Sequence, residues 1–345
     1  MTGSLRILLL ADTHLGFDQP RHPRKDLPRR GEDFFRCHRA ALAPAFAGEV
    51  HCVIHGGDLL FRSKVPASLV SLALAPYLEL AHAGTPVFMV PGNHERSWIP
   101  HSLFEQHPRL RICNTPCGST LELAGRQVFL CGIPYRRSIR RELPLLLEEA
   151  GWRDARAELK LLCLHQSVEG AQVGPVNYTF RHGEDVLSAA QIPPDCDALL
   201  SGHIHRQQVL TQDLHGGALP CPVIYPGSVE RTSFAEVDEQ KVALILEWRP
   251  GARRPLIHHL PLPARPMFAR TLQLDDLKPA RLPAALASLC ADVPPESVLG
   301  LRLSGPITAE MAPLLRRSVL RDLLPDGIRL SLSHAANRRD QTQTL

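Results

Sequence analysis

No run of 18 or more apolar residues occurs in the 345-residue sequence, so no helix is expected to cross a membrane. The N-terminal apolar run, Ile7 to Ala11, is too short for a signal peptide and leads straight into Asp12. There is no internal repeat and no low-complexity tract. The formal net charge is only +4, and bulk charge of that size does not by itself point to nucleic acid. Nine cysteines are scattered without a repeating spacing. Cys113 and Cys117 are the closest pair, and no second pair at zinc-site spacing follows them. These absences set aside membrane-spanning, repeat and structural-zinc classes, and they predict reduced thiols in a cytoplasmic protein.

What remains is ordinary in bulk, with 44% hydrophobic and 21% charged residues, and long enough for one large domain plus a small one. Arg far outnumbers Lys, and two Arg-dense stretches stand out, Arg21 to Arg30 and Arg136 to Arg141. Guanidinium groups grip phosphate oxygens bidentately, so both are candidate phosphate contacts. A compositional bias toward Arg, Ala, Leu and Pro accounts for them equally well.

Apolar runs that end in polar residues recur along the chain. Arg6 to Ala11, Cys52 to Ile54, Val87 to Val90, Lys160 to Leu164 and Asp197 to Leu200 each predict a buried strand. Helical spacing lies between several of them, over Gly31 to Phe46, Pro66 to Ala83 (kinked or interrupted at Pro76) and Arg137 to Ala150. Alternating strands and helices predict an α/β layered architecture. After His205 the pattern turns to antiparallel strands, Gln207 to Thr211 and Pro222 to Tyr225 around Gly216-Gly217, then Lys241 to Trp248. This first domain is expected over 1–250, followed by a Pro- and Arg-rich linker, 251–266. A smaller α/β unit is expected over 267–333: strand Phe268 to Leu274, helix Ala280 to Ala291, strand Val298 to Leu303, helix Ala309 to Leu324 and strand Ile328 to Leu332. A polar tail, 334–345, ends the chain.

Five polar motifs each begin where one of the expected strands ends: Asp12-Thr13-His14, Gly56-Gly57-Asp58, Gly92-Asn93-His94-Glu95, His165 and Gly202-His203-Ile204-His205. Ligand sites in open α/β sheets collect at the carboxyl ends of strands. Asp12 and His14 point the same way at a strand end, and His203 and His205 repeat that geometry. Asp58 follows two glycines that let the backbone turn sharply, and its two oxygens can bridge two cations. Asn93 adds a carbonyl oxygen and His165 another imidazole. Seven ligands of mixed N and O character (Asp12, His14, Asp58, Asn93, His165, His203 and His205), without thiolate, suit Mn²⁺ or Fe²⁺. Phosphate-ester hydrolysis is the reaction such a pair serves.

His94 is not needed as a ligand, and a histidine changes charge near neutral pH, so it fits a general acid for the leaving group. Glu95 either orients His94 or a neighbouring ligand, or stands as an N-terminal acid on a helix over Ser97 to Gln106. His51, His101, His107, His258 and His259 have no ordered partners and read as surface or core residues, while His55 beside the glycines is a candidate support for a ligand.

This ordered set resembles the calcineurin-like metallophosphoesterase superfamily. The stretch Ile7 to Gly16, Leu164-His165-Gln166, and Tyr225-Pro226-Gly227-Ser228 followed by Arg231 and Phe234 further resemble its DNA-repair nuclease branch, typified by the bacterial SbcD exonuclease subunit. The resemblance implies a four-layer αββα sandwich with a small C-terminal α/β cap, and Mn²⁺-dependent cleavage of DNA phosphodiesters. It implies one metal on Asp12, His14, Asp58 and His205, a second on Asp58, Asn93, His165 and His203, and His94 serving the leaving group. It also implies DNA as partner, an SbcC-type coiled-coil ATPase and a homodimer. Phe61 stands where many members carry a His or Asp three residues after the bridging aspartate, which leaves exo- against endonucleolytic preference open. Only about a dozen residues follow the last expected strand, so no ATPase-docking segment is visible. A small-molecule phosphodiesterase or phosphatase on the same metals, and a catalytically silent DNA-binding subunit, are the competing readings. The phosphatase pattern Gly-Asp-x-Val-Asp-Arg-Gly is not met by Gly57-Asp58-Leu59-Leu60-Phe61-Arg62-Ser63.

Overall fold

The computed structural model describes residues 3–18, 30–100, 106–325 and 327–335. Most of the Arg21 to Arg30 stretch, His101 and nearly all of the polar tail lie outside the described residues.

Leu5–Leu10 pairs in parallel with Cys52–His55, which pairs with Val87–Met89, and that in turn with Leu110–Ile112. On its other side Leu5–Leu10 runs antiparallel to Val242–Trp248, and Leu256–Pro261 closes this six-stranded sheet. A second six-stranded sheet is ordered Gln208–Gln212, Ala218–Tyr225, Ala198–Ser201, Leu159–Leu164, Arg126–Gly132, Cys117–Leu123, with parallel pairing at its centre.

Central strands covered on both faces run nearly continuously apolar, and Leu159–Leu164 has all six residues buried, its one charged member, Lys160, bonded to Trp152 O and Asp195. Successive side chains then feed two different cores. Ile7, Leu9, Leu161 and Cys163 meet in a core between the two sheets. Leu8 and Leu10 face the other way, against Phe34 and Leu42 of helix Arg30–Phe46 and Leu74 and Tyr77 of helix Ala67–His82. Leu162 and Leu164 pack with Ile139, Leu143 and Leu146 of helix Ile139–Glu149. The result is the four-layer αββα arrangement, with a core in each of its three seams. Pro76 sits inside an unbroken helix rather than interrupting it.

The chain divides into two units, the first comprising Met1–Thr232 and Asp238–Ala264, the second Ser233–Val237 and Arg265–Leu345. The second unit holds a three-stranded parallel sheet, Met267–Gln273, Val298–Ser304 and Arg329–Ala335. Its core includes Leu286 of helix Leu282–Leu289 together with Leu301 and Leu320. Phe234 packs on Gly300, where any Cβ would meet its ring.

Three expectations need correction. The stretch 251–266, expected as a linker, contains Leu256–Pro261, a six-residue edge strand; Pro261 is tolerated there because it ends the strand. The helix expected over Ala309 to Leu324 is confined to Arg317–Asp322, since Pro313 cannot donate and Arg316 is extended. Cys113 and Cys117 are joined by a disulfide rather than reduced, because the turn between them brings their Cα atoms to 5.6 Å. The other seven cysteines are free and buried.

Candidate metal centre

Each motif follows a strand, three from the first sheet and two from the second, so the loops converge at one end of the sandwich. Backbone bonds pin the loops together: Asp12 N–H donates to Gly57 O (2.9 Å), His14 N–H to Asp58 O (3.0 Å) and Gly202 N–H to Gly56 O (3.2 Å). Asp12, His14, Asp58 and His203 stand in the left-handed region, with φ of 51°, 44°, 53° and 80°. Such strain of roughly 1–3 kcal/mol per residue persists only where the surroundings impose it. Gly57 and Gly92 are glycines for a contact reason: a Cβ at either would overlap His165 or the Asp58 carboxylate.

Two groups of ligand atoms form around Asp58. In the first, His14 Nε2 lies 3.0 Å from His205 Nε2, His205 Nε2 is 4.0 Å from Asp12 Oδ1, and His14 Nε2 is 4.0 Å from Asp58 Oδ2. In the second, His165 Nε2 is 3.3 Å from the same Asp58 Oδ2 and 3.0 Å from Asn93 Oδ1, which is also 3.0 Å from His203 Nδ1. Asp12, His14 and His205, and likewise Asp12, Asp58 and His165, offer atoms close enough to share one cation. His14, Asp58 and His94 form a third such set.

The donor set fits cations. Burial pushes His14 well below the usual histidine range, so its ring is neutral, and its Nε2 faces His205 Nε2 at 3.0 Å, where a cation could take a lone pair from each ring in place of their mutual hydrogen bond. His165 donates Nδ1–H to the Gly56 carbonyl (2.8 Å), which leaves Nε2 facing two oxygens. Burial opposes charge on this ring, but the Asp58 and Asp12 carboxylates outweigh it and push His165 up to about 9. Burial raises Asp12 to about 6 against the pull of His165 and His205. Asp58 is buried too, yet the His165 charge and hydrogen bond hold it well below the carboxylate range. The pocket demands positive charge at its centre.

The supports were only partly legible in sequence. Glu95 accepts the backbone N–H groups of Leu60 (2.6 Å) and Gly92 (2.8 Å), so it ties the Asp58 and Asn93 loops together. Burial, with Asp58 nearby, raises it to about 8. No helix forms over the described residues 97–100. His55 is paired with Thr13 Oγ1 (3.1 Å), accepts Gly57 N–H at Nδ1 (3.2 Å), and burial lowers it to about 3. Thr232 Oγ1 sits 3.3 Å from His205 Nδ1, and the buried Lys241 donates to His205 O (3.1 Å) and Glu239 (2.8 Å). Sequence reasoning missed Thr232 and Lys241, whose only signal is proximity in space. Arg30 is buried and bonded to Arg231 O, Asp33 and Glu230, so it serves the fold instead of a phosphate.

The model of the calcineurin-like phosphoesterase family matches residues 5–207. The chain is 30% identical over 253 residues to the DNA double-strand break repair protein Mre11 of Haloferax volcanii, covering 72% of this chain and 50% of that protein. The proteins of the same name from Methanosarcina acetivorans (29% over 314 residues; 88% and 46%) and Methanocaldococcus jannaschii (24% over 237; 67% and 58%) are also similar. The chain therefore spans about half the length of the curated relatives it matches. With all five motif loops inside the matched region, the chain belongs to the calcineurin-like phosphoesterase family.

Proposed function

We propose that the chain is a metal-dependent nuclease that hydrolyses DNA phosphodiesters in repair or end processing, with Mn²⁺ as the favoured ion. Asp12, His14, Asp58 and His205 would hold one ion and Asp58, Asn93, His165 and His203 the other. Two bound cations would supply an activated water and neutralise charge on the phosphate oxygens. His94 keeps Nε2 toward Asp58, 3.9 Å away, while Nδ1 donates to the Phe61 carbonyl (2.5 Å). As an imidazolium it carries a proton on Nε2 to give to the alkoxide released when the P–O bond breaks.

The single observation behind the reading is Asp58 Oδ2, set 3.3–4.0 Å from the Nε2 atoms of His165, His94 and His14. DNA is favoured over other phosphodiesters by the relatives named for double-strand break repair. An SbcC-type ATPase, a second copy of the chain and a cytoplasmic location belong to the same reading. No helix among the described residues is long and apolar enough to cross a membrane. The test is end-labelled single- and double-stranded DNA with Mn²⁺, wild type beside Asp58→Ala. Cleavage that requires both Mn²⁺ and Asp58 supports the reading; cleavage unchanged in Asp58→Ala removes it.

A further inference from the structure

Tyr135 lies outside the proposed ligand set, yet its ring stands against it. The centroid is 5.7 Å from that of His203 at an interplanar angle of 39°, and 6.3 Å from that of His165 at 74°. Its backbone is fixed on both sides: the N–H donates to Pro91 O (3.1 Å) and the carbonyl accepts Ser97 Oγ–H (2.6 Å). Pro91 and Ser97 bracket the loop that carries Asn93 and His94, so the ring keeps a set position relative to both. The opposite wall is built differently. There His14 packs against His94 (4.6 Å) and Phe61 (6.0 Å), and Phe61 is itself covered by Phe17 (4.8 Å).

A tyrosine used as a strut is covered and has its hydroxyl bonded. Tyr135 is only partly buried, and among the described residues its hydroxyl has no hydrogen-bond partner. Beside it stand the exposed Arg137 and the Asp185 carboxylate; among the described residues Arg137 forms no ion pair and the buried Nε of Arg136 has no partner. An accessible aromatic ring next to an unpaired guanidinium is the combination that takes a nucleotide, the ring holding the base and the cation the backbone.

We propose that Tyr135 is a substrate-contact residue that stacks the nucleobase flanking the scissile phosphate on the His165–His203 side. This rests on the phosphodiesterase reading above. Stacking accepts any base, so the subsite confers a preference for nucleosides without a sequence code.

Two small substrates isolate the contact: thymidine 5′-p-nitrophenyl phosphate, which carries one base, and methyl p-nitrophenyl phosphate, which carries none. The ratio of their kcat/KM values with Mn²⁺ is expected to favour the nucleoside about tenfold or more. Tyr135→Ala and Tyr135→Leu should both collapse that ratio, and Tyr135→Phe should keep it. Anisotropy of a labelled oligothymidylate without divalent metal should weaken in the same order, with circular dichroism confirming folded variants. The proposal is overturned if Tyr135→Ala and Tyr135→Leu keep the wild-type ratio, or lower both esters alike while losing bound Mn²⁺, which would make the ring a support for His203. Equal wild-type activity on the two esters overturns it while leaving the phosphodiesterase reading intact. A wild-type chain inactive on both esters and on DNA overturns both.

Discussion

His94 donates its Nδ1 proton to the carbonyl oxygen of Phe61, and that one bond points Nε2 at Asp58. The position that breaks the family pattern at residue 61 therefore contributes through its backbone. His94→Gln should keep two bound metals, read by elemental analysis, while turnover of DNA falls by about 10²–10⁴-fold. Loss of a metal would instead make His94 a ligand. Phe61→Ala retains the carbonyl and should lower turnover far less than His94→Gln does.

Gly57 and Gly48 separate contact from strain. Both have positive φ, but a Cβ at Gly57 would overlap His165, whereas nothing lies within 4 Å of one at Gly48. Gly48→Ala should cost about 1–2 kcal/mol of stability and leave metal content intact. Gly57→Ala should displace His165 and lose one of the two metals in calorimetric titration with Mn²⁺. Two undisturbed sites in Gly57→Ala would refute the packing argument.

Lys241 reaches His205 through its carbonyl while its charge is matched by Glu239. Groups that orient metal ligands are worth about 10–100-fold in affinity. Lys241→Met paired with Glu239→Gln, which removes the cation together with this carboxylate, should weaken one Mn²⁺ site by that factor and spare the other. Equal weakening of both sites, or of neither, would count against it.

Stability should fall in acid partly through His38. Burial lowers its folded pKa to about 3, and its ring is paired with Tyr77 Oη at 2.8 Å. The unfolded chain takes up the proton near the ordinary 6.5, before the folded chain does. The contribution is thus complete above that pH and drains away as pH falls from there toward 3, at about 1.4 kcal/mol per unit. His38→Gln should remove about 2 kcal/mol of the loss between pH 7 and 5, measured by urea titration; an unchanged acid limb would show that His38 charges freely in the fold.

Arg137 and Arg141 are exposed, whereas Arg140 is engaged with Glu169 and the Val186 carbonyl. Replacing Arg137 and Arg141 with Ala should reduce the slope of log affinity for DNA against log salt by about 1–2. An unchanged slope would return both to the solvated surface.

The site was more legible than its surroundings. That Asp12, His14, Asp58, Asn93, His165, His203 and His205 come together was readable because each follows an apolar run, and strand ends gather in this architecture. Leu256–Pro261 was hidden by the prolines and arginines that flank it and by its own two histidines, since an edge strand needs apolar residues on only one face. Cys117–Leu123 and Arg126–Gly132 end in none of the five motifs, and their tight connection at Ala124 and Gly125 has no strong turn signature. Sequence leaves Glu95 between orienting His94 or a neighbouring ligand and standing at a helix N-terminus, because both of its partners in the fold are backbone N–H groups, to which sequence is blind. Long-range supports such as Lys241 and Thr232 depend on which loops meet.

The left-handed backbone at Asp12, His14, Asp58 and His203 has a consequence for selectivity. Donors held by an over-determined main chain cannot slide outward to follow a larger ion. In the proposed nuclease the cup would therefore act as a gauge: an ion of Mn²⁺ size would meet the imidazoles and carboxylates together, while Ca²⁺, which prefers more oxygens at longer range, would be left short of partners. Selection among cations would then rest on the rigidity of four peptide units as much as on the chemistry of the side chains they carry.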